Sequence, residues 1–369
     1  AQAPAAAEAE EASSLQSSPT PAASSSAEPA LPPAPTMLRA EVEMMRTEGK
    51  CWRVPLVSYM EDVGANGLKL VAALNKCERS RSAALMRSAN FDLAVLKERY
   101  NVGILLREFA LEVGAPPPSD IMSVLWCETR VELPCAPFMP MLQCLVPEGG
   151  DGAPVCSGRF VLLMLEVKSM GVLQDTRIYE QVATPLRQAL GIAKPTGKEG
   201  VPKFPRCYPT RGRPFRPRQL LRADCTILPS DCDMYRVIFH PQVPNVCERM
   251  NFALGTEFRE QPGVAIYANL AKPARVGDRY DAHVFVEPPE ATSGQHRVLY
   301  LFSYQGQTGA AANVMAVFMV FGAAPGALTS EDVTACAAQR LAGLSAFAAG
   351  GATPKVDAEV DLSQCARAS

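Results

Sequence analysis

The chain has 369 residues, 48% of them hydrophobic, and its 36 Lys and Arg against 38 Asp and Glu leave a formal net charge of -2. That is enough apolar material for one large domain or two ordinary ones, so disorder throughout is excluded. The near-neutral balance excludes a global attraction to nucleic acid or to an anionic membrane, and any electrostatic partner must be met by a local cluster.

Residues 1–36 are almost wholly Ala, Ser, Pro, Glu, Gln and Thr, with Glu8, Glu10, Glu11 and Glu28 and no basic residue. Such a segment cannot bury enough surface to offset chain entropy and is expected to be a disordered acidic tail. It has no hydrophobic core of the signal-peptide kind, so secretion through such a peptide is not expected of this chain. The start at Ala1 fits removal either of an initiator Met or of an upstream piece, a targeting peptide or a polyprotein neighbour.

From 37 to 118 the pattern predicts a helical subdomain. Leu70, Val71, Leu74 and Cys77 recur at helical spacing. Asn90 and Asp92 are candidate caps for a helix presenting Leu93, Leu96 and Tyr100, and Ile104–Leu111 reads as a further helical run. Gly114 and Pro116–Pro118 end this part.

From 119 to 328 the texture is that of short strands punctuated by Pro and Gly. The candidates are Met141–Val146, Arg159–Val167, Gln219–Leu228, Met234–His240, Asn251–Phe258, Val264–Leu270, Arg279–Val286, Val298–Tyr304 and Val314–Phe321. One helix is expected over Thr176–Ile192, where Val182, Leu186 and Leu190 keep a helical step. The expected class is α+β, mainly β: a helical subdomain followed by an antiparallel, jelly-roll-like β-sandwich. Gly309–Leu328 approaches bilayer-spanning length, but Gly322, Pro325 and the preceding strand make it the second arm of a hairpin, and no membrane partner is expected. Residues 329–369 read as an Ala-rich helix starting near Ser330 and a loose tail. No internal repeat is visible.

The 12 cysteines contain no Cys-x-x-Cys pair and several lie in apolar runs, which points to free thiols in an intracellular reducing compartment or a virion. The most distinctive stretch is the basic, Pro-rich segment 194–222. It holds Lys194, Lys198, Lys203, Arg206, Arg211, Arg213, Arg216, Arg218 and Arg222, with Phe204, Tyr208 and Phe215 interleaved. Extended cations that track phosphates, with aromatic faces that stack on bases, suit single-stranded RNA or DNA. A merely solvated loop or an acidic protein partner, including residues 1–36 themselves, are the competing readings.

Catalytic signals are sparse. The three histidines, His240, His283 and His296, are isolated in sequence, although His283 and Asp281 share a strand face. There is no Gly-x-Ser-x-Gly elbow and no P-loop. Asp224, Asp231 and Asp233 form the densest acidic cluster and read as a turn facing water rather than a metal site, so neither metal nor cofactor is expected. Trp52 and Trp126 read as packing anchors. Together these features favour a non-enzymatic, self-associating protein that contacts nucleic acid, most concretely a viral capsid protein. The alternatives are a subunit of an organelle RNA-protein complex and, in another class, an enzyme with a cleft between the helical and β-rich parts that uses Asp281, His283 or a cysteine.

Overall fold

The computed structural model describes residues 46–48, 51–64, 67–89, 93–114, 124–132, 136–148, 154–194, 215–291, 293–307 and 312–322. The strands are β1 (Arg46–Glu48), β2 (Cys51–Val57), β3 (Val63–Gly64), β4 (Gly67–Leu68), β5 (Val102–Val113), β6 (Val124–Val131) and β7 (Phe138–Pro147). They continue with β8 (Cys156–Glu166), β9 (Gly171–Val172), β10 (Gln219–Thr226), β11 (Gly263–Leu270), β12 (Arg279–Val286), β13 (His296–Tyr304) and β14 (Asn313–Phe321). The helices are α1 (Leu70–Ala89), α2 (Leu93–Tyr100), α3 (Thr176–Ala189) and α4 (Val243–Leu254).

Among the described residues twelve strands form one antiparallel sheet, in the order β1-β2-β6-β7-β8-β5-β11-β14-β13-β12-β10 with β9 added on β8. This order contains one unit twice. The elements β2-α1-β5-β6-β7-β8 make a sheet ordered β2-β6-β7-β8-β5, and β10-α4-β11-β12-β13-β14 make a sheet ordered β10-β12-β13-β14-β11. The units join through β5 and β11, antiparallel, with Ile266 opposite Leu111 and Ala268 opposite Phe109. A repeat that is invisible in the residues is therefore explicit in the topology.

A local device recurs as well. In the first unit Asp62 ends a 3-10 turn, accepts the backbone N–H of Tyr59 at 3.0 Å, and pairs with Lys76 of α1 at 2.7 Å. In the second, Asp231 ends a 3-10 turn, accepts the N–H of Leu228 at 2.9 Å, and takes a two-pronged bond from Arg249 of α4 at 2.8 and 2.6 Å. Each aspartate thus fixes the entry to its own helix.

The first helix is rich in Ala and Leu, which favour helix and leave room for close approach to the sheet. Ala73, Leu74, Cys77, Ala83 and Ala84 are wholly buried. It packs on β2, β5, β6 and β7 and is flanked by α3. Asp175 caps α3 by accepting the Arg177 N–H at 2.9 Å. The other face of the second unit's sheet has its own core, in which Phe215 packs with Tyr267, Phe285, Leu299 and Phe318.

The α+β, mainly antiparallel β class is observed, and so are seven of the nine expected strands within a few residues. The 309–328 stretch supplies β14, paired with β13, and no described helix is long and apolar enough to cross a membrane. The wholly helical reading of 37–118 is corrected: 51–57 and 102–113 are strands. The run Ile104–Leu111 is apolar on both sides because β5 is central, flanked by β8 and β11, and two-sided burial erases the alternation that marks a strand. Met234–His240 forms only isolated bridges, and Asn251–Phe258 begins in α4, which ends at Gly255 with a left-handed φ of 62°. The tail 1–36 and the segment 329–369 lie outside the described residues.

Candidate functional site

From its third turn onward α1 places Glu78, Arg81, Ser82 and Leu85 on one face. This face borders a cavity of about 480 Å3 between the two units. Its walls are apolar, with Leu105, Leu106, Phe138, Leu162, Leu163 and Met170 among them. The second unit contributes the 233–240 segment that joins β10 to α4.

That segment is a tied excursion. The Phe239 N–H reaches Asp231 O at 2.7 Å, closing its ends, and the Asp233 N–H reaches Val237 O at 2.9 Å. Arg236 takes a positive φ of 60°, and Lys97 of α2 donates to Met234 O at 3.0 Å. Asp233 itself accepts the Tyr235 N–H at 2.7 Å through Oδ1, the local bond that favours Asp in turns. Burial, opposed by this backbone bond and reinforced by the nearby Glu78 charge, pushes the Asp233 carboxyl up to about 6.

Arg81 organises the polar end of the cavity and is only 1% exposed. Its Nη2 donates to Glu78 Oε2 at 2.5 Å and to His240 Nε2 at 2.8 Å, and its Nη1 donates to Gln143 Oε1. Gln143 is held in turn, donating to Cys77 O at 3.0 Å and to Thr129 Oγ1 at 2.9 Å. The guanidinium also lies 4.3 Å over the Phe160 ring.

A guanidinium only donates, so His240 Nε2 is an acceptor and the ring carries its proton on Nδ1. Burial drives the His240 pKa down to about 3, the Glu78 charge opposing and the Arg81 charge reinforcing. His240 is therefore neutral with its lone pair engaged. Glu78 takes the opposite path. Burial works against its charge, but the Arg81 charge and hydrogen bonds from Arg81 and Ser82 hold it below the usual carboxylate range. Two carboxylates in one cavity thus have proton affinities driven apart, the arrangement that assigns distinct acid-base roles.

The residues expected to bind nucleic acid do not gather into a strip among the described residues. Phe215, expected to stack on a base, is wholly buried, edge-on to Phe318 with centroids 5.3 Å apart. Arg216 is tied by its N–H to Glu287, and Arg218 by its N–H to Val286 O at 2.9 Å. Arg222 lies on the edge strand β10 opposite His283, and Lys194 is paired with Glu180 at 3.5 Å. Lys198, Lys203, Phe204, Arg206, Tyr208, Arg211 and Arg213 lie outside the described residues. Asp231 is not water-facing, being 2% exposed and bound by Arg249, while Asp233 is half-buried and lines the cavity. Asp281 and His283, the expected enzymatic pair, sit on β12 and do not line the cavity.

Sequence reasoning missed Glu78, Arg81 and His240 as a set. The available signal was a charged pair interrupting the apolar stripe of α1, and nothing local links it to a histidine 159 positions from Arg81.

No protein-family model matches the chain, and no curated protein matches it significantly. Solved structures do. A putative oleoyl thioesterase from Lactobacillus plantarum superposes with a TM-score of 0.56 at 11% identity, covering 75% of this chain and 98% of that one. A 12:0-ACP thioesterase from Umbellularia californica gives 0.53 at 10% identity, covering 74% and 94%. An acyl-ACP thioesterase from Bacteroides thetaiotaomicron gives 0.50 at 16% identity, covering 74% and 98%. At these identities the likeness establishes the fold, a duplicated hotdog-like unit in which a sheet packs around a helix. It overturns the viral-capsid, virion and RNA-binding expectation, and with it the non-enzymatic one: the solved structures that share the fold are thioesterases.

Proposed function

We propose that this chain hydrolyses acyl thioesters in the cavity between α1 and the 233–240 segment. The carrying observation is an apolar-walled cavity closed at one end by Glu78, Arg81, His240 and Asp233, in a fold shared with three solved thioesterases. The acyl chain lies against Leu105, Leu106, Leu162 and Leu163, which places the thioester at the polar end.

Asp233, with a pKa of about 6, is ionised at neutral pH yet basic enough to take a proton from water. The water oxygen attacks the carbonyl carbon, the C–S bond breaks, and the proton held by Asp233 passes to the departing thiolate, giving a carboxylic acid and a thiol. His240 is not the base, because its Nε2 accepts from Arg81. The lone pair of its Nε2 and the Glu78 carboxylate keep the guanidinium in place.

The test is release of free thiol from a series of acyl thioesters, from short to long chain, by the wild type and by Asp233→Asn. Thiol release that collapses in the variant is expected. No release above the uncatalysed rate for any chain length, or an undiminished rate in the variant, would overturn the reading.

A further inference from the structure

The hydrolytic reading leaves the carbonyl oxygen of the substrate without an assigned partner, and the search for one leads back to Arg81. Nη1 and Nη2 of this guanidinium are engaged by Gln143, Glu78 and His240. Its Nε–H is buried and has no hydrogen-bond partner. Buried polar groups are almost always satisfied, so an orphan donor on a side chain that lines a cavity marks a place for an acceptor.

The surroundings show that the guanidinium is built in rather than incidental. Gln143, itself wholly buried, spends its carbonyl oxygen on Arg81 and its amide on Cys77 O and Thr129, and Thr129 is bonded to Ser80 at 3.0 Å. This chain of buried polar groups runs from α1 across β6 and β7. Phe160 closes one face of the guanidinium plane. A side chain fixed on this many sides cannot reorganise when charge appears beside it, which is the condition for stabilising a developing oxyanion.

We propose that Arg81 is a catalytic residue that binds the carbonyl oxygen of the acyl thioester through its Nε–H and stabilises the oxyanion formed when water adds. This rests on the acyl-thioester reading of the same cavity and names the group that recognises the reacting atom. The bound ligand class is correspondingly narrow: an apolar chain ending in a hydrogen-bond acceptor, with no anion needed, because Glu78 already balances the guanidinium.

Two non-hydrolysable probes separate the outcomes: a long-chain ketone, in which methylene replaces the thioester sulfur, and the matched thioether, in which methylene replaces the carbonyl. Calorimetry on the wild type is expected to show the ketone binding roughly ten-fold or more tighter than the thioether, as for a hydrogen bond to a charged donor. Arg81→Met is expected to erase that preference while holding thioether affinity within about three-fold. Should Arg81→Met fail to fold, the wild type still decides by 15N NMR. The Arg81 Nε–H resonance, assigned by its loss in Arg81→Lys, is expected to shift on adding ketone and to stay in place on adding thioether. Equal affinity of the wild type for both probes, or a resonance indifferent to the ketone, would overturn the role of Arg81 while leaving acyl binding intact. Binding of neither probe would overturn the acyl-thioester reading and the role of Arg81 with it.

Discussion

The two units share a frame and differ in what they place on it. Lys76 and Arg249 are both the seventh residue of their helices, and each answers the aspartate of a preceding 3-10 turn. Two positions further on, α1 has Glu78 and α4 has Asn251; three beyond that, Arg81 and Leu254 correspond. Asn251 is buried and accepts the Tyr300 hydroxyl at 2.6 Å, a bond internal to the second unit. Glu78 and Arg81 instead reach a cavity and a histidine from the other half. Duplication thus supplies two frames, and at these matched positions only the first carries a charged pair that lines the cavity. The helix α4 is also shorter, 12 residues against the 20 of α1, and stops where the cavity-lining face of α1 continues to Ser82 and Leu85.

The sharpest way to break this contrast is at the acid-base group. Asp233→Asn is expected to lower kcat by roughly 100-fold or more, with the unfolding midpoint unchanged or slightly raised, because a buried carboxylate has been neutralised; thiol release and thermal denaturation check the two halves of the statement. Next in size is the repeated aspartate. Asp231→Ala removes a 2%-exposed carboxylate that caps a turn and binds Arg249, and about 3 kcal/mol of destabilisation is expected in urea unfolding. Asp62→Ala removes its more exposed counterpart and is expected to cost about 1 kcal/mol. Equal costs would mean that the second unit's loop is not held by its aspartate more tightly than the first's.

The seam between the units gives a third, smaller effect. Glu108 on β5 is 3% exposed and accepts the Tyr267 hydroxyl from β11 at 2.7 Å. Burial, opposed by that bond and by Arg159 and Arg107, raises its pKa to about 7. A carboxyl raised on folding binds its proton more tightly in the folded state, so stability falls as pH climbs from about 4.5 to about 7 and is level above. Glu108→Gln keeps an acceptor for Tyr267 and is expected to stabilise the protein by on the order of 2 kcal/mol at pH 8 and by almost nothing at pH 4. Denaturant titrations at the two pH values test it. Smallest of all, Phe252→Ser on α4 is expected to shift stability by less than about 0.5 kcal/mol, because that side chain is 60% exposed.

These contrasts explain which parts of the molecule were legible in the sequence. Strands such as β12 and β14 were readable because Pro, Gly and polar residues bound compact Val- and Phe-rich runs. The central β5 was not, because burial on both faces gives it the same apolar texture as a helix. The repeat stayed hidden because its chemistry diverged at Glu78/Asn251 and Arg81/Leu254, and because the aspartate stands 14 residues before its cation in one unit and 18 in the other. The basic 194–222 segment drew attention as a charge cluster, yet Phe215 within it is a core residue that pins the segment's end to the second unit's sheet. The site was the least legible part. Glu78 comes from α1, Gln143 from β7, and Asp233 and His240 from the 233–240 segment, and only the meeting of Glu78, Gln143 and His240 on Arg81, beside a cavity that Asp233 also lines, gives them meaning.

The most direct test of the account is the pH dependence of kcat/KM for thioester hydrolysis by the wild type. If Asp233 is the base, the rate should climb about ten-fold per pH unit below an inflection near 6 and level off above it, and that limb should vanish in Asp233→Asn. An inflection that persists unchanged in the variant would show that another group takes the proton and would contradict the assignment.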